Sequence, residues 1–457
     1  MFIATNPTTG QEIHRYEALE DKDLDKVLNQ ANTAFKAWRR SSFTERAALL
    51  NRVADLMEQD EERLARLMTV EMGKPIREAR AEVKKSAWCA RHYAESGEAY
   101  LAAQTLSSDA AHSYVQYLPL GPVLGILPWN APFWIAFRFC APALMAGNTC
   151  LMKHDGHVPA SAEAIGELFV QAGAPEGLLQ NVRLTHEQVQ TTIEHDAVRA
   201  VSLTGSSAAG GKVASLAARQ IKPAVMELGG SDPSLILSDA DLDKAAEVLT
   251  LSRIINAGQS CIAAKRIIVE TPVYDAFIER YESRLAALKM GDPAEEDTDV
   301  GPIARADLRE ELHRQVTSTI NQGARCLLGG DLPDGPGFFY PVTLLVDVTP
   351  EMCAAREETF GPVAVVMKAY SAEHALKIAN DTPYGLASSI WTGDTEQAER
   401  MSRDIEAGQV AINGIVKTDP RLPSGGIKRS GYGRELGPAG IMEFVNAQQV
   451  WVGPPKG

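Results

Sequence analysis

The sequence of 457 residues holds no apolar run near the ~20 residues a membrane-spanning helix needs, so that class of protein is excluded. It has no basic excess. Fifty-nine acidic residues against 45 basic ones leave a formal net charge of −14, which argues against nucleic acid or an anionic membrane as partner. An anionic small molecule stays possible, because one local arginine can hold a carboxylate. Six cysteines are scattered along the chain (Cys89, Cys140, Cys150, Cys261, Cys326, Cys353) with no C-x-x-C pair, so zinc and dithiol motifs are unsupported. His154 and His157 have no third ligand, and no metal is expected. The opening Met-Phe-Ile-Ala-Thr-Asn-Pro has neither a basic region nor a long apolar stretch, so a reduced, cytoplasmic protein is expected. There is no internal repeat and no G-x-G-x-x-G. The segment Gly205 to Lys212 approaches a Walker loop, but an extra glycine precedes Lys212 and Val213 replaces the magnesium-binding hydroxyl. An ATP site is therefore rejected.

What is present is ordinary in bulk and patterned in detail. Hydrophobic residues make up 45% and charged residues 23%, as in globular enzymes, and the length calls for two or three domains. The first hundred residues read as helices, with a capping box at Ser42-Phe43-Thr44-Glu45 and a stop at Gly73 and Pro75. Apolar runs at 123–127, 149–153, 180–184, 200–204 and 224–228 then read as strands, with helices at 160–173 and 208–220 between them. A second set follows Gly230, at 265–269, 362–366, 388–391 and 409–413, with a helix at 372–380. Near-continuous apolar strands alternating with helices imply parallel sheets covered on both faces, an α/β protein with two such units. Residues 113–118 and 444–452 are extended segments outside both units; pattern alone leaves them as edge strands of one monomer or an arm reaching a neighbour.

Two segments carry chemistry. Asn256-Ala257-Gly258-Gln259-Ser260-Cys261 sets a thiol on small, permissive backbone. Met226-Glu227-Leu228-Gly229-Gly230 puts a carboxylate at the end of an apolar strand, before a glycine turn. A free cysteine is usually a small buried hydrophobe; a cysteine and a candidate base, each flanked by glycine, favour covalent catalysis. The strand ending at Thr204-Gly205 feeds a helix N-terminus, where free N–H groups suit a pyrophosphate.

Both segments resemble signatures of the aldehyde dehydrogenase superfamily. So do Leu127-Pro128-Trp129-Asn130-Ala131-Pro132, Leu151-Met152-Lys153, Ser202-Leu203-Thr204-Gly205-Ser206 and Glu357-Glu358-Thr359-Phe360-Gly361-Pro362, in the family's order from about residue 5 to the end. Leu288 to Pro293 and Ser424 to Gly431 look most like short bacterial succinate-semialdehyde dehydrogenases. The resemblance implies a Rossmann-like cofactor domain (1–107 and 121–229), a catalytic domain (230–436) and a small β oligomerisation arm (108–120 and 437–457). A homodimer or homotetramer is the implied assembly.

The implied reaction oxidises an aldehyde to its acid with NAD or NADP. Cys261 attacks the carbonyl, the Asn130 amide and a backbone N–H near Cys261 hold the oxyanion, hydride leaves, and Glu227 activates water to hydrolyse the thioester. Lys153, Gly205, Ser206, Trp129, Leu228, Glu358 and Phe360 are the implied cofactor contacts. Glu435 matches a position proposed to pass protons to the base. Where the family has a ribose-binding glutamate this chain has Gly156, which removes a charge that would repel a 2′-phosphate. Ala263 stands where many relatives carry a second cysteine, so a disulfide switch is not expected.

Arg138, Arg421 and Ser424 are the implied substrate contacts, with Arg138 on the distal carboxylate of succinate semialdehyde. A structural ion pair is the alternative role for Arg138. The second arginine of some relatives falls at Ile255, with only Arg253 near, and Ala131 and Ser424 replace aromatics that narrow the tunnel. A broad-specificity or aromatic aldehyde dehydrogenase, an esterase using the same thiol, and a non-catalytic structural protein on this fold are the other readings.

Overall fold

The computed structural model describes residues 2–453. The first sheet has six strands in the order Gly431–Tyr432, Ala224–Glu227, Ala200–Thr204, Pro122–Leu127, Thr149–His154, Leu179–Asn181. All neighbours are parallel except Gly431–Tyr432, which runs antiparallel to Ala224–Glu227. That short strand lies within the span 230–436 assigned from sequence to the second unit. Side chains alternate between two layers, as a pleated strand requires. Val123, Cys150 and Met152 join the core under helices Phe43–Gln59, Ile76–Tyr100 and Pro132–Met145. Leu124 and Leu151 face helices Asp21–Trp38, His186–Glu194 and Ser207–Arg219 on the other side.

The second sheet has seven strands: Arg325–Leu328, Thr343–Val346, Val363–Ala369, Arg266–Glu270, Pro233–Ile236, Ala387–Trp391 and Gln409–Ile412. Only its first pair is antiparallel. It too divides its side chains, with Leu235, Ile268 and Val365 in one core and Ile236, Ile267 and Val366 in the other.

The connectivity of the first sheet locates a site. The chain runs outward from Pro122–Leu127 through the next two strands, then returns to lay Ala200–Thr204 on the opposite side of Pro122–Leu127. Ligands of open parallel sheets bind beyond the carboxyl ends of the strands at such a reversal. Those two strands lead into Trp129-Asn130 and Gly205-Ser206.

Two expectations are corrected. The chain opens with an antiparallel hairpin, Phe2–Asn6 with Gln11–Tyr16, rather than helix. The turn depends on the Asn6 side chain accepting from Thr8 N at 2.9 Å and on Gly10 at φ +74°, local signals that helical periodicity downstream overshadowed. The strand expected at 180–184 shortens to Leu179–Asn181, an edge with one neighbour. The tail Val445–Val452 pairs with its own chain, in antiparallel register from Val445 opposite Pro119 to Val452 opposite His112. Gln104–Thr105 completes that three-stranded sheet and leaves the outer edge of Val445–Val452 unpaired among the described residues. Residues 1 and 454–457, assigned from sequence to the first domain and the arm, lie outside the described residues. Among the described residues no helix is long and apolar enough to cross a membrane.

Truncation after Phe444 strips the partner from His112–Pro119 and bares its edge, a template for aggregation. The expected outcome is loss of soluble protein or a shift to the void volume in size-exclusion chromatography, with the full chain unaffected.

Candidate active site

The nucleophile loop is held in an unusual backbone. After helix Leu242–Ile254, Asn256, Ala257 and Gly258 all take positive φ, at 56°, 53° and 74°. For Asn256 and Ala257 this stores strain of about 1–3 kcal/mol each, which surrounding contacts must overcome. Asn256 N donates to Glu78 Oε2 at 2.6 Å, and Asn256 Nδ2 donates to the carbonyls of Asn130 (2.8 Å) and Gln259 (3.2 Å). Arg253, fully buried, donates to Gly258 O at 2.9 Å and Ala264 O at 3.2 Å. Gln259 donates to Asn256 O and accepts from Ala304 N. Gly258 is required twice, since a Cβ there would also collide with the Gly361 carbonyl. Arg253, close in sequence to a substrate-binding position, is thus a strut of the loop.

Asn130 faces this loop. Its Nδ2 donates to Gln259 O at 3.0 Å, and its carbonyl accepts from Lys74 Nζ at 2.9 Å. Lys74 is ion-paired with Glu82. Glu82 in turn accepts from Phe133 N (3.0 Å) and Trp134 N (3.1 Å), opening the helix that carries Arg138.

Arg138 is buried, with 5% exposure, and its Nη2 meets two carboxylates: Glu435, in a close ion pair, and Glu227 Oε2 at 3.6 Å. The guanidinium expected from sequence to face a substrate carboxylate therefore faces two of the protein's own. Glu227, 4% exposed, has its Oε1 without a hydrogen-bond partner. Burial, then the neighbouring Glu435, pushes its carboxyl well above the usual range, and Arg138 opposes both.

Two further loops close on Cys261. Glu358 Oε1 accepts from Gly230 N at 3.1 Å, and a Cβ on Gly229 would collide with the Glu358 carboxylate. Lys265, fully buried, donates to Cys261 O at 2.6 Å and pairs with Glu358 at 3.1 Å. Gly229 thus admits Glu358, while a Cβ on Gly230 would crowd Asp232, the Cys261 carbonyl and Leu386. Cys261 itself keeps partial exposure; burial pushes its thiol up to about 11, while the Lys265 and Arg138 charges pull it down.

The remaining candidates line the carboxyl ends of the first sheet. Trp129 meets Phe360 edge-on at 5.9 Å. Ser206 caps helix Ser207–Arg219, its side chain accepting from Ala209 N, and Gly205 N donates to Glu227 O. Leu228 packs over Gly210, where no Cβ fits. Lys153 at the end of its strand has no hydrogen-bond or ion-pair partner among the described residues, and burial lowers its amine. Gly156 faces the Phe2 ring, which a side chain at that position would displace. Ser424 pairs its backbone with Glu435, and its Oγ accepts from Gln409 Nε2. Arg421, with its side chain 65% exposed, is engaged by Asp419 through two hydrogen bonds and lies over Trp88. His154 Nε2 donates to Pro132 O at 3.2 Å, and burial lowers the ring to about 4, so it is neutral. Among the described residues no cluster of three or more His, Cys, Asp or Glu could hold a metal.

Lys265, Lys74, Glu78 and Glu82 escaped the sequence reading. Lys265 follows Cys261 closely enough to have been suspected. Glu78 and Glu82 lie on a distant helix, with Lys74 just ahead of it, and their charges look like a solvated face.

Two largely parallel sheets thus carry the Cys261 loop, the Asn130 amide and the Glu227, Arg138 and Glu435 group. The chain is a member of the aldehyde dehydrogenase family, whose model matches residues 2–450. A probable NADP+-dependent succinate-semialdehyde dehydrogenase of Synechocystis sp. is 48% identical over 99% of this chain and 100% of its own length. An NADP+-dependent succinate-semialdehyde dehydrogenase of Mycolicibacterium paratuberculosis is 44% identical, covering 100% and 98%. Among solved structures, a succinic semialdehyde dehydrogenase from Streptococcus pyogenes in complex with NADP+ superposes with a TM-score of 0.97 at 35% identity, covering 99% of this chain and 100% of that one.

The carboxylate pair makes a signed prediction. With Glu227 as the base that activates water, thioester hydrolysis rises with pH through its raised pKa. Glu435→Gln removes a repulsion and moves that rise to lower pH; Arg138→Met removes the opposing cation and moves it higher. Single-turnover hydrolysis across a pH series checks both directions.

Proposed function

We propose that this protein oxidises succinate semialdehyde to succinate with NADP+ or NAD+, acting as a succinate-semialdehyde dehydrogenase. The observation that carries this reading is the convergence of Cys261, the Asn130 amide and Glu227 at the reversal of the first sheet, in a chain similar to NADP+-dependent succinate-semialdehyde dehydrogenases over its full length.

The residues divide the work. The Cys261 thiolate adds to the aldehyde carbon and forms a thiohemiacetal. An amide has two N–H groups; one on Asn130 rests on Gln259 O, and the other serves the oxyanion. The nicotinamide cofactor, when bound, supplies the hydride acceptor that converts the thiohemiacetal to a thioester on Cys261. Glu227 takes a proton from water, which releases the acid and restores the thiol, while Arg138 and Glu435 set its proton affinity. Lys153 fits a 2′-phosphate, being a desolvated cation without a protein partner, with no acidic side chain at Gly156 to repel that group. Glu358, held by Lys265 and Gly230, is placed for the nicotinamide ribose.

All six cysteines are unpaired, which supports a reduced, cytoplasmic setting. The unpaired outer edge of Val445–Val452 supports a homo-oligomer, a dimer or tetramer, in which that edge is covered.

Cys261→Ala is expected to abolish aldehyde oxidation. Glu227→Gln is expected to acylate and then stall, releasing at most about one reduced nicotinamide per active site. Full turnover by either variant in a stopped-flow absorbance trace rejects the mechanism. Lys153→Met is expected to weaken NADP+ binding by roughly 10- to 100-fold, the value of a hydrogen bond to a charged group, and NAD+ binding by less. Titrating each cofactor by quenching of tryptophan fluorescence reads the difference.

A further inference from the structure

Behind the nucleophile lies a buried carboxylate that the mechanism does not use. Asp232 is 3% exposed and follows the glycine turn after Glu227. Its Oδ1 accepts from Ala387 N at 3.1 Å, and its Oδ2 has no hydrogen-bond partner among the described residues. A buried carboxylate oxygen without a partner is costly, so its place in the fold calls for a reason.

The backbone clips Asp232 to the segment after the nucleophile. Its carbonyl accepts from Lys265 N and Arg266 N, both at 3.1 Å, and Arg266 Nε donates to Ser231 O at 2.9 Å. A Cβ on Gly230 would lie 2.8 Å from Asp232 Oδ1 and 3.0 Å from the Cys261 carbonyl oxygen, so the two oxygens are near neighbours at that glycine. The same Cys261 carbonyl accepts from Lys265 Nζ at 2.6 Å. The charges there are unequal. Lys265 and Arg266 are fully buried cations. Arg266 is held by carbonyls alone, and Glu358 is the only carboxylate within 4 Å of Lys265 among the described residues. Asp232 supplies the missing negative charge.

Two cavities of about 10 Å³ each open beside this carboxylate, each sized for one water. The first brings Asp232 to Ser388 and to Ile262, the residue after Cys261; the second brings it to Ser231. Both serine hydroxyls, like Oδ2, lack a partner among the described residues. A water in either cavity can donate to Oδ2 and join it to a serine, which lets an ionised carboxylate tolerate this burial.

We propose that Asp232 is a positioning residue for the nucleophile, acting through Lys265: its carboxylate is the second counter-charge of that ammonium, and by matching it keeps the Cys261 sulfur a thiol at rest. The proposal takes Cys261 as the nucleophile, as the proposed function does, and concerns its acidity rather than the aldehyde it meets.

The charged and titratable groups around Asp232 are Lys265 and Arg266, Glu358 before Phe360, Arg253 from helix Leu242–Ile254, Cys261 itself, and Tyr384 and Glu406 at the second cavity. Burial raises the carboxyl to about 7, and Lys265 opposes it. The carboxylate is therefore present above that pH and lost below it. Beyond the effect of burial, Lys265 draws the Cys261 thiol down and Asp232 draws it up. The restraint on the sulfur is thus in force above about pH 7 and lifts below it.

The test alkylates the protein with iodoacetamide, without nucleotide or aldehyde, from pH 6 to 8.5 and follows the Cys261 peptide by mass spectrometry. Alkylation reads the thiolate. Turnover by Cys261→Ala would reject the proposed function, whereas the alkylation profile rejects this inference alone. Asp232→Asn keeps an oxygen for Ala387 N and removes the charge. Its rate relative to wild type is expected to be near one at pH 6 and to reach roughly 3- to 30-fold at pH 8.5. In a Lys265→Met background the carboxylate loses the charge that keeps it ionised, and adding Asp232→Asn is expected to change little. Wild-type protein carries its own signature, a logarithm of the rate that rises at less than unit slope between about pH 6 and 8. A ratio that is constant with pH or falls below one, an equal acceleration with and without Lys265, or a wild-type profile of unit slope throughout overturns the inference. The wild-type profile needs no replacement, so the inference can fail even where neither variant folds.

Discussion

A buried ammonium holds this site together. Lys265 is fully removed from water, and a charge so placed must be matched by close partners. Its partners are the Cys261 carbonyl and the Glu358 carboxylate, and Glu358 in turn accepts from Gly230. Three segments far apart in the chain therefore share one electrostatic knot: the nucleophile loop, the turn after the base, and the stretch ending in Phe360. If any one shifts, a buried charge loses a partner, at a cost of about 3–5 kcal/mol. That penalty is comparable with the strain of Asn256 and Ala257 together, about 2–6 kcal/mol, and the hydrogen bonds of Glu78, Asn256 and Arg253 add to it.

The helix Ile76–Tyr100 is the less visible half of the scaffold. Glu78 fixes the Asn256 backbone, Glu82 starts the helix bearing Arg138, and Lys74, just ahead of it, holds the Asn130 carbonyl. Burial pushes Glu78 up to about 7. The Asn130 segment and the Cys261 loop are thus positioned from behind by charged residues of a surface-looking helix and its approach. Replacements there would be felt at Cys261 without any contact to substrate.

Most of the sheet architecture was legible from sequence because its signal is local. Runs such as Val123 to Leu127 and Ala200 to Thr204 are apolar on both faces, which only a buried parallel strand explains. Gly229 and Gly258 were recognisable as special, but their reasons were not, since each answers to a group more than a hundred residues away, Glu358 or Gly361. The partners of Arg138 were hidden for the same reason. A guanidinium in an apolar helix announces that it must be paired, yet nothing local says whether the partner is a ligand or the protein. The opening hairpin was missed because two weak turn signals stood before a strong helical pattern. The tail was read correctly as extended, and its partner strand became visible only in three dimensions.

Ala263 has a consequence for the life of the thiol. Cys261 has no sulfur two residues away to trap a sulfenic acid as a disulfide, so oxidation by peroxide can run on to the irreversible sulfinic and sulfonic acids. What protects the sulfur is its own environment. With burial raising it to about 11, the resting group is a protonated thiol, and oxidants react with thiolates. The molecule is thus shielded while idle and exposed to damage when its thiolate forms, so peroxide should inactivate it in proportion to its use.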